Sequence, residues 1–141
     1  MLDRAAIERR VPHAGTMCLL DAVTQWDAVH IACRAAAPSA AHPLARDGIV
    51  PAVVAIEYAA QATAVHGALL ENAERPRAGM LATLVDVQLS LAAIPAEGDP
   101  LSIRADLLSR SSAGCMYSFV VGTGSGPIAS GRLLVVLGDV P

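Results

Sequence analysis

One long apolar segment, residues 49–70, restricts the fold of this chain more than any other feature. It consists almost entirely of small and aliphatic residues, and Glu57 is its only charged side chain. An apolar segment of this length without a polar face is typical of a helix enclosed by the rest of the protein. A carboxylate in such surroundings costs several kcal/mol unless it is paired, hydrogen-bonded or protonated. The environment of Glu57 therefore makes it a candidate functional residue.

The pattern of apolar residues and turn signals predicts one long helix between two groups of strands. Pro51 stands where the first helical residue is expected, because its missing N–H has no partner to lose there. The long helix is predicted to end near residue 70, and a short helix is predicted near the N-terminus. The predicted ranges are 5–10 for the short helix, and 17–25, 29–37, 79–91, 101–109, 115–121 and 128–137 for the strands. The sequence GTGSGP before the last strand predicts a hairpin turn.

This order of elements predicts an α+β fold in which a curved antiparallel sheet wraps one long central helix. Many of the helical residues are alanines, which allow a sheet to approach the helix closely. A length of 141 residues suits a single domain that spans residues 1–141.

Charge and cysteine content exclude several classes of protein. The formal net charge is −3 and the arginines are scattered, so no nucleic-acid-binding patch is predicted. Three cysteines without metal-type spacing indicate free buried thiols in a reducing cytoplasm, and no metal site. The long apolar segment could span a membrane by length alone. Pro51, Glu57, Gln61 and His66 interrupt it, so no membrane span is predicted.

Three groups near the start of the long helix could act together on a substrate. Glu57 and Gln61 are four residues apart and share one helical face, so Gln61 is expected to orient Glu57 or to satisfy nearby backbone. His42 lies in the preceding loop and is expected to reach the helix N-terminus. The backbone N–H of Ala52 belongs to the first turn, where it could bind a carbonyl oxygen as negative charge develops.

A base, an acid and an oxyanion donor are the groups needed to remove water from a 3-hydroxyacyl thioester. Each proton-transfer group contributes roughly 10²–10⁴ in rate, and the reaction needs no metal or other cofactor. The residues alone leave a second interpretation open, in which Glu57 is a core acid and His42 an unrelated loop histidine. His66 is nine residues from Glu57 and therefore lies on the opposite side of the helix, so it is expected to be structural. His30, in a strand, is also expected to be structural.

Two motifs resemble a known enzyme family. The segment HPLARDGIVPAVVAIEYAAQ resembles the HFP…MPG…EAMAQ signature of FabZ/FabA-type 3-hydroxyacyl-carrier-protein dehydratases. The segment VPHAGTMCLLDAV resembles the PHR.PFLLVDRV start of the same family. The combination is more similar still to the small dehydratase-like proteins of aryl polyene pigment clusters.

The resemblance implies a hotdog fold and a homodimer, or a dimer of dimers, with active sites at the subunit interface. It implies that Glu57 is the catalytic acid and that the Ala52 N–H replaces the family's glycine amide, with Pro51 and Gln61 beside the substrate. The substrate implied is an acyl-phosphopantetheine group on an acyl carrier protein, in secondary lipid, polyene or fatty-acid-type synthesis.

This sequence matches the family's catalytic histidine less closely than it matches the catalytic acid. Aligning His42 with it requires one extra loop residue, and Pro43 replaces the family's phenylalanine. His13, in the PH motif, is therefore a second candidate for the base. Two other functions remain open: a hotdog thioesterase in which Glu57 activates water, and a non-catalytic acyl-binding or scaffolding subunit.

Overall fold

The computed structural model describes residues 1–11, 17–72 and 79–138. The chain begins with a short helix and two paired strands. One long helix and four further strands follow. Their bounds are α1 Arg4–Glu8, β1 Ala22–Trp26, β2 His30–Ala35, a 3-10 turn Ala52–Val54, α2 Ala55–Glu71, β3 Gly79–Leu89, β4 Leu101–Arg110, β5 Gly114–Thr123 and β6 Gly126–Leu137. The predicted helices and strands are confirmed, with shifted ends.

The six strands form one sheet in the order β1-β2-β4-β5-β6-β3. Every neighbouring pair is antiparallel. Helix α2 packs mainly on β2, β4 and β5, and most of its residues in the middle turns are buried. The predicted α+β architecture, a central helix against a curved antiparallel sheet, is confirmed.

The long helix begins later than predicted, at Ala55 after a 3-10 turn that begins at Ala52. Pro51 has an extended backbone (φ −60°, ψ 148°) and precedes the 3-10 turn, so the prediction that it is the first helical residue is wrong. Pro51 instead forms a β-bridge with Ala93, which fixes it in an extended conformation. At the other end, Asn72 adopts the left-handed conformation (φ 50°, ψ 41°), which ends helices and which asparagine tolerates.

Strand β1 begins later than predicted because a helix side chain takes the backbone groups before it. The Leu19 N–H donates to Gln61 Oε1 at 2.9 Å, and the Met17 carbonyl accepts from Gln61 Nε2 at 2.8 Å. These groups therefore bond to α2 and not to a neighbouring strand, so the sheet begins at Ala22.

The two edges of the sheet differ in how far they are covered. Strand β1 is short, and Leu2 bridges to Val23 on its outer side. Strand β3 is long, and within the described residues it pairs only with β6. Its exposed side chains include Met80, which is 70% exposed, and Leu84, which is 40% exposed.

The buried residues include the three cysteines, which are free, as predicted. Burial raises the pKa of the Cys33 thiol to about 12, so this thiol stays protonated. Within the described part of the chain, one helix, Ala52–Glu71, is long and apolar enough to cross a membrane, and 56% of its most apolar window is buried inside the fold.

Candidate functional site

Glu57 is held by a glutamine that also ties the N-terminal segment to α2. Gln61 is 2% exposed, and its Nε2 donates to Glu57 Oε1 at 3.1 Å. The same amide group contacts Met17 and Leu19 on both sides. Both expected positions of Gln61, toward Glu57 and toward backbone, are confirmed. Glu57 itself is half-buried, which corrects the expectation of a fully buried acid.

Beside Glu57 lies an apolar cavity of about 180 Å³ between α2 and the sheet. One wall is the face of α2 that contains Glu57, Ala60, Ala64 and Gly67. The other wall comes from the strands, with Cys115 and Tyr117 of β5, Val135 and Leu137 of β6, and Gly79 and Leu81 of β3. A half-buried carboxyl group at an apolar cavity is the arrangement expected of a residue that exchanges protons with a bound substrate.

His42 is half-buried, and both of its ring nitrogens have partners. The Leu44 N–H donates to Nδ1 at 3.0 Å, so the neutral ring has its hydrogen on Nε2. That Nε2–H donates to the Tyr58 hydroxyl at 3.1 Å. Burial lowers the pKa of His42 and favours the neutral ring. His42 therefore contacts α2, as expected, but in this arrangement neither nitrogen is available as a base.

The first amide of the 3-10 turn also has a partner. The Ala52 N–H donates to the Ala92 carbonyl at 3.0 Å, and Ala52 is 1% exposed. The expectation that this N–H lacks an acceptor is therefore wrong. The reason is the bridge between Pro51 and Ala93, which brings the backbone of the segment after β3 against the start of the helix.

His66 is fully buried and has two structural partners. Its Nε2–H donates to the Asp27 carbonyl at 2.8 Å, and its Nδ1 accepts from the Tyr117 hydroxyl at 2.7 Å. Burial lowers the pKa of His66 and raises that of Tyr117. Of the two structural positions that the sequence leaves open for His66, packed or on the surface, the structure shows the packed one.

The remaining sequence candidates lie elsewhere. His13 lies outside the described residues. His30 is partly exposed on β2, where it hydrogen-bonds to Asp106 beside Arg104, in agreement with its predicted structural role. Among residues 1–11, 17–72 and 79–138, no group of three or more His, Cys, Asp or Glu side chains could hold a metal ion.

Sequence reasoning missed several residues of the cavity, in particular Tyr117, Gly67 and Arg110. The cavity residues on α2 could have been predicted, because steps of three and four residues from Glu57 stay on the same face of the helix. Tyr117 and Arg110 gave no such signal, because their position depends on how β4 and β5 meet the helix.

Two comparisons with known proteins cover nearly the whole chain. A family model described as ApeP-like, ApeP dehydratase, matches residues 5–139. The dehydratase heterocomplex ApeI:P from Xenorhabdus doucetiae has a similar structure, with a TM-score of 0.82 and 24% identity over 95% of this chain and 91% of that one. No curated protein sequence is significantly similar to the chain.

More distant structures share the fold. A hypothetical thioesterase with coenzyme A from Streptococcus pneumoniae TIGR4 has a TM-score of 0.63 and 11% identity over 84% of this chain and 85% of that one. AziG from S. sahachiroi has a TM-score of 0.64 and 13% identity over 88% and 94%. The similarity to these hotdog-type proteins concerns the fold, whereas the family model covers nearly the whole sequence. The chain belongs to the ApeP-like dehydratase family.

Proposed function

We propose that this dehydratase converts 3-hydroxyacyl groups on acyl carrier protein to trans-2-enoyl groups, in secondary lipid, polyene or fatty-acid-type synthesis in the cytoplasm. The main support is Glu57, a half-buried acid held by Gln61 at an apolar cavity. An apolar cavity suits an acyl chain, and a positioned carboxyl group suits proton transfer at one end of that chain.

In the proposed reaction a base removes the proton from C2 of the thioester and Glu57 protonates the departing 3-hydroxyl group. Water leaves and the C2–C3 double bond forms, so the proton taken and the proton given balance. The Gln61 amide fixes the direction of the Glu57 carboxyl group. The chemistry needs no redox or metal cofactor.

His13 is the preferred candidate for the base. Both nitrogens of His42 have partners in the structure, so His42 must lose one of them before it can accept a proton. The described residues next to His13 in sequence lie at the site, since Val11 lines the cavity and the Met17 carbonyl bonds to Gln61. His42 remains the second candidate.

The Ala52 N–H can act as the oxyanion donor only after it changes its hydrogen-bond partner. Its N–H would exchange the Ala92 carbonyl for the thioester carbonyl. Pro51 has no N–H and leaves the neighbouring amide of Ala52 as the first donor of the turn. Ala92 follows β3 directly in the chain, so a shift of the segment after β3 would expose this amide.

The proposed assembly is a homodimer, or a dimer of dimers, formed along the outer edge of β3. A long apolar edge strand presents unpaired backbone groups that favour pairing with another strand. Met80 and Leu84 are exposed on this strand. Leu84→Lys is expected to halve the mass measured by light scattering. A wild-type protein with monomer mass would contradict the assembly.

An acidic carrier protein is the proposed partner because a cation lies at the cavity. Arg110 lines the cavity and is exposed to solvent. Arg110→Glu is expected to raise KM for carrier-bound substrate, and to leave KM for the same acyl group on free pantetheine unchanged. An equal effect on both substrates would show that Arg110 does not contact the carrier.

The deciding experiment follows 3-hydroxyacyl-carrier-protein by mass spectrometry. The wild type is expected to remove 18 mass units as water, and Glu57→Gln to slow this by roughly 10²–10⁴. His13→Ala is expected to have a similar effect and His42→Ala a smaller one. Asp99→Asn, in an exposed turn, and His30→Ala are matched controls that should retain activity.

Other outcomes identify the alternatives. Release of the carrier thiol without an enoyl product would indicate a thioesterase, and intact substrate would indicate an acyl-binding or scaffolding subunit. A larger loss in His42→Ala than in His13→Ala would assign the base to His42.

A further inference from the structure

The cavity beside Glu57 continues along helix α2 well beyond the reacting groups. Glu57, Ala60, Ala64, Gly67 and Glu71 all line it, at spacings of three and four residues that place them on one helical face. With a rise of about 1.5 Å per residue, the path from Glu57 to Gly67 is about 15 Å long. On this helical face the residues between Glu57 and Gly67 are alanines, Ala60 and Ala64, so the helix leaves room for a ligand along this wall.

Gly67 has open space in front of it. A Cβ atom added at Gly67 would have no heavy atom within 4 Å apart from its chain neighbours and nearby helix backbone. Gly67 has no positive φ angle, so the backbone conformation accepts any L-residue. Glycine is among the least favourable residues inside a helix, and the helix gains nothing in packing from its presence at this open position.

We propose that Gly67 determines the acyl chain length by keeping the far half of the cavity open for an extended acyl chain. This inference rests on the proposed function for the assignment of the thioester end to Glu57. An extended chain spans about 3.5 Å for every three bonds, so the path from Glu57 to Gly67 accommodates about 12 bonds. Substrates longer than this pass Gly67, and shorter ones end before it.

An acyl chain fits the chemistry of this cavity. The path is continuous with the candidate acid, and its strand wall is largely apolar, with Val135, Leu137 and Leu81. Tyr117 contributes its ring, because its hydroxyl group is already bonded to His66. A largely apolar cavity that starts at a proton-transfer group suits a linear hydrocarbon chain.

The test compares a short and a long substrate, 3-hydroxyhexanoyl- and 3-hydroxyhexadecanoyl-carrier-protein, with wild type, Gly67→Ala and Gly67→Phe. The wild type and Gly67→Ala are expected to dehydrate both. Gly67→Phe is expected to retain the kcat/KM for the short substrate. Its kcat/KM for the long substrate is expected to fall on the order of 100-fold, because several methylene groups lose their burial. Gly67→Ala is the matched control for removing the glycine without filling the cavity.

A second pair of variants keeps the test valid if Gly67→Phe does not fold. Ala64→Leu and Gly67→Leu place the same side chain three residues apart, about 4.5 Å along the helix. The longest chain accepted is therefore expected to be shorter in Ala64→Leu than in Gly67→Leu by about four bonds. Equal limits in the two variants would overturn the proposal.

A binding measurement separates failure of this proposal from failure of the proposed function. Wild type, Gly67→Ala and Gly67→Phe are titrated with the fluorescent fatty acid cis-parinaric acid. Binding that is lost only in Gly67→Phe supports the acyl path even if no variant dehydrates a substrate. Equal binding by all three, or equal use of the long substrate, overturns it. A lower oligomeric mass in Gly67→Phe also overturns it, since a second copy would then occupy this face.

Discussion

The protein contains two histidine–tyrosine pairs with opposite hydrogen-bond directions and different surroundings. His42 and Tyr58 connect the loop before α2 to the helix, and His66 and Tyr117 connect the helix to β5. In both histidines the hydrogen bonds place the ring hydrogen on Nε2, and burial lowers the pKa of both. The pairs differ in the direction of the histidine–tyrosine hydrogen bond, since His42 donates to Tyr58 and Tyr117 donates to His66. They also differ in the partner of the other ring nitrogen and in exposure.

The second partner determines how firmly each ring is held. His66 is fully buried and donates to the carbonyl of Asp27, far away in sequence, so its release would disrupt the packing of α2 on the sheet. His42 is half-buried and accepts from Leu44, two residues away. A local change in the loop would free His42. The comparison shows that a buried, doubly bonded histidine stabilises the fold, whereas a histidine held by its own loop can change partners.

The largest expected difference between the pairs is in stability. His66→Phe leaves the Asp27 carbonyl and the Tyr117 hydroxyl without their partner, which costs about 2–5 kcal/mol in the free energy of unfolding. His42→Phe leaves groups that can reach water and costs about 1 kcal/mol or less. Urea denaturation of both variants measures the difference.

Tyr117→Phe provides the control for this prediction. Combined with His66→Phe it should cost less than the sum of the two single changes, because both partners of one hydrogen bond are then removed together. Equal losses in His66→Phe and His42→Phe would show that the two pairs do not differ in the proposed way.

The second prediction concerns pH. Because burial lowers the pKa of His66 and His42 below the ordinary 6.5 in the folded protein, the unfolded chain binds protons first as the pH falls. The contribution of these two histidines to the free energy of unfolding is therefore constant well above about pH 6.5. Below that pH it falls by at most about 1.4 kcal/mol per pH unit for each histidine.

Melting temperatures between pH 7.5 and 5 measure this loss. His66→Phe should show a smaller fall with pH than the wild type, since one of the two groups is removed. The buffer of choice has a small heat of ionisation, so that temperature does not change the pH. An unchanged pH dependence in His66→Phe would exclude His66 as a source of the acid sensitivity.

The sequence predicted those features that depend on residues close together in the chain. The periodicity of apolar residues predicted α2 and the strands, and the spacing of four residues predicted the contact between Glu57 and Gln61. Each of these depends on local backbone geometry, which the sequence determines directly.

The features that sequence reasoning missed depend on distant residues. The Ala52 N–H bonds to Ala92, and His66 bonds to Tyr117, because separate elements meet in the folded sheet. The late start of β1 has the same origin, since Gln61 takes its backbone partners from a segment far away in sequence. No local pattern specifies which of several possible partners a buried polar group will find.

The smallest expected effect separates structure from chemistry at His42. Tyr58→Phe removes one hydrogen bond and is expected to lower the free energy of unfolding by about 1 kcal/mol. Burial raises the pKa of the Tyr58 hydroxyl to about 12, so this hydroxyl is neutral and donates or accepts a hydrogen bond without supplying charge. If His13 is the base, Tyr58→Phe should leave dehydration nearly unchanged. If His42 is the base, loss of its Nε2 partner should change kcat and its pH profile, and a change of tenfold or more would transfer the role from His13 to His42.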